Sequence, residues 1–383
     1  MKENPIDRWI FYTVLVLMTI GIIMVYSASA FYANRVRLDN LYYLKKQMLW
    51  VLLGLILMIG TYKFPYEKLQ GRTWVFILLS LGLLIYLVFQ RPERWIHLGF
   101  LNVQVSDVTR LSLILFFADS LNRKTEYLKN FGEGVVPHLF YLLLFAGLIV
   151  TQPDFSSAAM LILIGMLLLF ISPIPVRYFF IMIAVVVPLA VVLVRYSPYM
   201  FERYDAFLHP EKDTLRAGYQ IIQSLISIGS GGITGVGFAQ SNQKLFFLPE
   251  AHTDFIFSII SEEWGLIGGI VVLGLYFILM WRGILLSHRA PDAFSRYLAF
   301  GLTMNLIIYA LVNIMVIAHL LPPTGLPLPF ISYGGSSMLI SSVSAGLLLN
   351  ISNKTFSRRQ MNQSSFSKRA QQNLETRRLR HIR

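Results

Sequence analysis

Long apolar runs alternate with short polar interruptions along this chain, and the runs set its architecture. Crossing the hydrocarbon core of a bilayer takes roughly 20 helical residues. Runs of about that length recur ten times, at 9–30, 44–61, 74–90, 105–121, 136–151, 156–173, 176–194, 254–281, 297–320 and 330–350. The pattern predicts an all-α integral membrane fold of about ten transmembrane helices within residues 1–351. Only Gln152-Pro153-Asp154-Phe155 separates the fifth run from the sixth, which predicts a tight hairpin: the proline stops one helix and Asp154 caps the next. The first run ends in Ala28-Ser29-Ala30, as a cleavable signal would, but it is too long for a signal core. The segment before it balances Lys2 and Arg8 against Glu3 and Asp7, so it reads as a retained helix.

The pattern breaks once. Residues 195–253, between the seventh and eighth runs, contain no spanning segment. Loops of such length in compact proteins are functional or disordered. This one carries aromatics, an apolar run from Ile221 to Ile228 and a glycine cluster (Gly229, Gly231, Gly232, Gly235, Gly237), which predicts a partly ordered, partly embedded outer loop.

Composition supports a lipid environment: 55% of the 383 residues are hydrophobic and 14% charged. The net charge of +13 is concentrated at the end, where residues 352–383 hold nine Lys or Arg against Glu375 alone, or +8 of the total. A basic Gln/Asn/Ser-rich segment after a membrane helix reads as a disordered cytoplasmic tail touching anionic lipid, not as a nucleic-acid arm. Counting basic residues in the loops puts both termini in the cytoplasm, with 21 Lys/Arg inside against 11 outside. Without the tail the count is 12 to 11, so the orientation rests mainly on the tail. The absence of cysteine excludes disulfides, thiol nucleophiles and Cys-based metal sites. Walker, HExxH and nucleophile-elbow motifs are also missing, and the glycines do not sit in a βαβ unit, so a dinucleotide site is excluded.

Candidate chemistry lies where the outer loop enters the eighth run. There Glu250, His252 and Asp254 are followed by Glu262 and Glu263, and Asp254, Ser258 and Glu262 fall at i, i+4 and i+8 on one helix face. Carboxylates in a membrane span are costly and point to function; the blander role for Asp254 is a helix cap. In the fourth run, Asp107 and Arg110 are spaced i, i+3 for an ion pair, which serves either a site or mutual neutralisation. Upstream, Arg94 and Trp95 sit at the interface, Trp95 suiting either an anchor or a substrate contact. In the outer loop Lys244 is a candidate phosphate ligand, and the glycine cluster suits an anion nest or a re-entrant turn. The Pro-rich stretch Leu321–Pro329, running into Ser332 and Gly334-Gly335, is irregular backbone, which at membrane depth requires a wet cavity or protein cover.

These strings resemble the SEDS family (shape, elongation, division and sporulation). The matching segments are Gln152–Phe155, Gly218-Tyr219-Gln220 with Gln223-Ser224-Leu225, Ser241 with Gln243-Lys244, Leu248–Gly269 and Leu321–Ser337. The resemblance covers residues 9 to about 350, and the Glu-Ala-His-Thr-Asp form is similar to the division branch rather than the elongation branch. It implies a peptidoglycan glycosyltransferase that polymerises lipid II at the outer face of the bacterial cytoplasmic (inner) membrane, at the division septum. It further implies a class B penicillin-binding protein (a transpeptidase) and other division-complex proteins as partners. The family's essential aspartate falls on Asp254. Its QPSE-x-x-K motif falls on Gln104, Val105, Ser106, Asp107 and Arg110, departing from the pattern at Val105, Asp107 and Arg110. On this reading Asp254 is the general base, Arg94, Arg110, Arg203 and Lys244 are the cations for pyrophosphate, and Trp95, Asp107, Glu250, His252, Glu262 and Ser332 complete the substrate site. A divalent metal, Mg or Mn, is an option at Asp254 or Asp107, and no organic cofactor is called for. The alternatives are a lipid II flippase, which would carry polar residues through the full depth of the bilayer, and a non-catalytic division scaffold.

Overall fold

The computed structural model describes residues 6–90, 93–99, 101–213 and 217–380. Every run foreseen from the apolar pattern is a helix: α1 (Arg8–Arg37), α2 (Tyr42–Lys63), α3 (Thr73–Gln90), α4 (Val105–Arg123), α5 (Val136–Val150), α6 (Phe155–Phe170) and α7 (Val176–Tyr196). After the outer loop, which contributes α8 (Pro198–Leu208) and α9 (Ala217–Gly231), come α10 (Ile256–Arg289), α11 (Ala293–Ile317) and α12 (Gly335–Arg380). Among the described residues, eight of these helices are long and apolar enough to cross a membrane; α4 and α6 are not among them. α6 has only 16 residues. α4 carries Asp107, Arg110, Asp119 and Arg123, and it is buried on nearly every side between α3, α6 and α11. Protein, not lipid, solvates Asp107, Arg110 and Asp119, while Arg123 at the end of the helix is exposed. α7 is the opposite case: it is apolar between Arg177 and Arg195, with Met182 its one buried side chain, and most of its surface faces outward.

Two features depart from the sequence reading, and a third, the partly ordered and embedded outer loop, fills it in. A short antiparallel hairpin, β1 (Trp95–Leu98) with β2 (Leu101–Gln104), precedes α4 in the register Trp95↔Gln104 and Ile96↔Val103. The outer loop is largely helical: α9 lies against α10 and α11, and its residues Ile221, Ser224 and Ser227 are buried. Finally, α12 stays helical from Gly335 through Arg380, although the composition after residue 351 predicts disorder. Neither Gly nor Pro occurs between Leu347 and Arg380, so the sequence supplies no backbone break.

Contacts bring the α1–α2, α3–α4, α5–α6, α7–α10 and α11–α12 connections to one end of the bundle. Arg94 donates to the carbonyls of Gln152 (3.3 Å) and Pro153. Gln104 bonds Asp154 at 2.8 Å, Arg203 donates to the Pro323 carbonyl at 3.1 Å, and the Tyr43 ring lies 4.4 Å from His252.

Candidate active site

The Pro-rich stretch after α11 is irregular, as its sequence requires, and is held by named bonds. Asn313, deep in α11, donates to the carbonyls of Asp254 and Leu326, both at 2.7 Å. Ser332 donates to the Thr253 carbonyl (2.6 Å) and accepts from the Leu328 amide (2.8 Å), while the Tyr333 amide donates to the His252 carbonyl (3.0 Å). These bonds tie residues 252–254 to residues 326–333, and Ser332 acts as a brace.

Asp254 lies in the turn before α10, on the wall of a cavity of about 180 Å³ shared with Arg203, Gln220, Glu250, Asn313 and Thr324. Gly325, at φ +69°, leaves room over the carboxylate: a Cβ there would stand 3.4 Å from Asp254 Oδ2. Burial pushes the Asp254 carboxyl up to about 6, repulsion from Glu250 adds to this, and Arg203 works against it. Burial lowers the proton affinity of His252, against the pull of Glu250.

Two further cavities adjoin this one. On the side of Arg203, Pro323 and Thr324 lies a mainly apolar space of about 210 Å³ bounded by α6, α7 and α8, with Arg94 on its wall. On the side of Glu250 lies a space of about 440 Å³ lined by Tyr32, Tyr43, Phe246, His252 and Tyr333. The carboxylate chamber is therefore flanked by an apolar chamber with two arginines and by an aromatic one.

The remaining sequence candidates are engaged elsewhere. Glu262 accepts from Ser241 Oγ (2.5 Å), Ser227 Oγ (3.1 Å) and the Asn242 amide (3.0 Å). Glu263 accepts from Ser27 Oγ (2.6 Å), from Lys244 Nζ (2.8 Å) and from the Ala239 amide (3.0 Å). Both glutamates are 1% exposed. The glycine cluster is the re-entrant turn that receives them. Here α10 opens at Gly265 (φ +64°), and the backbone of Gly232–Gly237 pairs with it through Val236 N to Glu262 O (2.9 Å) and Leu266 N to Gly232 O (2.9 Å). A Cβ on Gly235 would fall 2.1 Å from the Glu263 carbonyl, so only glycine permits the crossing. The cluster's amides meet backbone carbonyls of α10, as the Gly237 amide does that of Glu263 (3.1 Å), so the glycines build a re-entrant turn. Glu262 and the Lys244 ammonium are thus engaged by groups of the chain itself, and Lys244 also lines the aromatic chamber.

Asp107 and Arg110 form the foreseen pair at 3.0 Å, both buried. Ser336 Oγ donates to Asp107 at 2.6 Å, and the Arg110 guanidinium lies 3.8 Å from the Tyr309 ring centre and bonds its hydroxyl. This cluster lines none of the three chambers. Among the described residues, no group of three or more His, Asp or Glu side chains is placed to hold a metal. The Asp107 carboxylate is taken up by Arg110 and Ser336, and Asp254 stands apart from it on the wall of the carboxylate chamber. Trp95, on β1, is 39% exposed, as an interfacial side chain is. Tyr32, Tyr43, Tyr333, Gln220 and Asn313 are lining residues that the candidate set did not include. The signal for Asn313 was an amide inside an apolar run, which also holds Asn305. The tyrosines, on separate segments, carried none.

A polytopic helical membrane protein with one raised carboxylate in a chamber at one end of the bundle is the class that fold and site define. Comparison with known proteins specifies it. The profile of the FtsW/RodA/SpoVE family, described as cell cycle protein, matches residues 7–357, and the chain belongs to that family. It is 40% identical over 350 residues to a protein of Trichlorobacter lovleyi named probable peptidoglycan glycosyltransferase FtsW, covering 88% of this chain and 91% of that one. It is 37% identical over 360 residues to stage V sporulation protein E of Bacillus subtilis (92% and 98% covered). Among solved structures it is similar to a chain from a study of the structural coordination of polymerization and crosslinking by a peptidoglycan synthase complex. That match has a TM-score of 0.76 and 25% identity, and covers 91% of this chain and 98% of that one. The fold also matches the rod shape determining protein RodA of Thermus thermophilus, with a TM-score of 0.67 at 24% identity, covering 91% and 97%.

Proposed function

We propose that this chain is a peptidoglycan glycosyltransferase that polymerises lipid II at the outer face of the cytoplasmic membrane during cell division, with Asp254 as general base. The observation that carries the reading is the Asp254 carboxyl, held near 6 in a chamber between two arginines and an aromatic pocket. A base is most effective when its pKa lies near the working pH.

In the proposed step the 4-hydroxyl of the acceptor sugar gives its proton to Asp254 as its oxygen bonds to the anomeric carbon of the growing chain. The bond from that carbon to undecaprenyl pyrophosphate breaks, and the leaving group takes the electron pair. Attack opposite the leaving group inverts the centre. Arg203 and Arg94 face the leaving pyrophosphate, whose prenyl chain lies in the apolar space bounded by α6, α7 and α8. That space opens beside α7, the helix with the least buried surface among the candidate spans, which gives a lipid tail a lateral path. Both termini face the cytoplasm on this reading. The partner is a class B penicillin-binding protein, in keeping with the two activities named for the solved synthase complex.

The reading is tested with purified full-length protein, labelled lipid II and such a partner. Polymer is expected from the parent chain, and Arg203→Ala is expected to slow its formation. If lipid II stays monomeric with every class B partner supplied, while the protein moves it between leaflets of a vesicle, the flippase reading replaces this one.

A further inference from the structure

The aromatic chamber is larger than either neighbour and plays no part in the chemistry so far assigned. Its walls come from four separate segments: Tyr32 from α1, Tyr43 from α2, Phe246 and His252 from the outer loop, and Tyr333 from the stretch before α12. Ring centres lie 4.4 Å apart for Tyr43 and His252, 5.1 Å for Tyr43 and Tyr333, and 5.6 Å for Tyr32 and Phe246. Tyr32, Tyr43, His252 and Tyr333 are each only partly buried, so their rings are not closed off as core rings are. Burial raises the Tyr333 hydroxyl to about 12, so it stays a hydrogen-bond donor.

Backbone strain marks the same place. Phe246 sits at φ +71° and Glu250 at φ +55°, in the left-handed region that side chains other than Gly, Asn and Asp avoid. Such outliers persist where the surroundings enforce them and gather at ligand sites. Phe246 so held meets Phe31 and Tyr32, both at 5.6 Å between ring centres, and Glu250 stands on the wall shared with the Asp254 chamber.

We infer that this chamber is the acceptor subsite, which stacks the N-acetylhexosamine ring whose 4-hydroxyl Asp254 deprotonates. The inference rests on the reading under Proposed function and adds where the second substrate lies. The C–H face of a pyranose carries slight positive charge and matches the negative face of an aromatic ring. Tyr hydroxyls, the His252 imidazole and the Glu250 carboxylate supply the few polar contacts that orient such a ligand. Location selects acceptor over donor. Inverting attack needs nucleophile and leaving group on opposite sides of the anomeric carbon, and the chamber with Arg94 and Arg203 shares no lining residue with the aromatic one. Both adjoin the Asp254 chamber, one through Arg203 and the other through Glu250.

The test uses the full-length protein with its penicillin-binding partner and two readouts. Saturation-transfer NMR follows binding of chitotetraose, a soluble N-acetylglucosamine tetramer, and kinetics follow labelled lipid II. Tyr43→Ala is expected to abolish transfer to the tetramer and raise KM for lipid II roughly tenfold, with kcat within about twofold. Tyr43→Phe, which keeps the ring and the packing, is expected to retain both, which separates lost stacking from lost folding. Tyr32→Ala provides a second arm on another helix. Unchanged tetramer binding and KM in both alanine variants would overturn the assignment while leaving Asp254 untouched. Equal binding loss in Tyr43→Phe and Tyr43→Ala would also overturn it, because stacking would then not be the cause. An active Asp254→Asn variant would instead remove the reading beneath it.

Discussion

Two carboxylate groups eight residues apart, Asp254 and the Glu262–Glu263 pair, belong to one segment and have opposite fates. Each glutamate is covered by hydroxyls and amides, and Glu263 also by an ammonium, so their charge is spent on joining α10 to α1 and to the outer loop. Among the described residues Asp254 has only its backbone carbonyl fastened, by Asn313, and its carboxylate faces a chamber where Arg203 is the opposing charge that acts on it. A buried carboxylate surrounded by its own protein's donors builds structure. One left short of donors keeps a raised proton affinity and can exchange a proton with a ligand.

The sharpest test of this contrast is Asp254→Asn, which keeps the shape and removes the base. Polymerisation of lipid II is expected to fall at least about 100-fold, with a Tm at or above the parent's, since a carboxylate short of donors costs stability. A melt well below the parent's would show that Asp254 is structural after all. Glu263→Gln is expected to do the reverse, leaving Lys244 buried beside a neutral amide and costing about 3 kcal/mol of stability. Thermal unfolding checks this, and the double variant with Lys244→Met should recover much of the loss; additive losses would mean that the pair does not interact.

A smaller effect sharpens the contrast by pH. Asp254 works only when ionised, so activity should fall as pH drops through about 6, because below that value the base is protonated. Glu250→Gln removes the repulsion that helps raise the carboxyl, so the acid limb should move to lower pH. A limb that stays in place would mean that Glu250 does not act on the base.

Much of this was legible in the sequence. The apolar runs located all of the long helices, and the turn at Pro153-Asp154 formed as its residue types dictate: the Ser157 amide donates to Asp154 Oδ1 at 3.3 Å. The Asp107–Arg110 spacing gave a true pair. What failed did so for definable reasons. The i, i+4, i+8 face assumed that the helix begins at Asp254, but α10 begins at Ile256, and Asp254 and Glu262 end in different environments. The glycine cluster was ambiguous because its partner is the backbone of a later helix, opened at Gly265. The hairpin of β1 and β2 is too short for its alternation to stand out, and the aromatic chamber joins residues far apart in the chain.

The burial of α4 bears on how the protein is made. Each central Asp or Arg opposes entry of a lone helix into lipid by about 2.5–3.5 kcal/mol, and α4 places Asp107, Arg110 and Asp119 among its buried residues. α3 can accompany it during synthesis, but the α11 surface that covers Arg110 through Tyr309 is translated almost two hundred residues later. Until then α4 is an unfinished insertion intermediate, so the nascent chain must be sheltered from hydrocarbon at this helix until its late partner arrives.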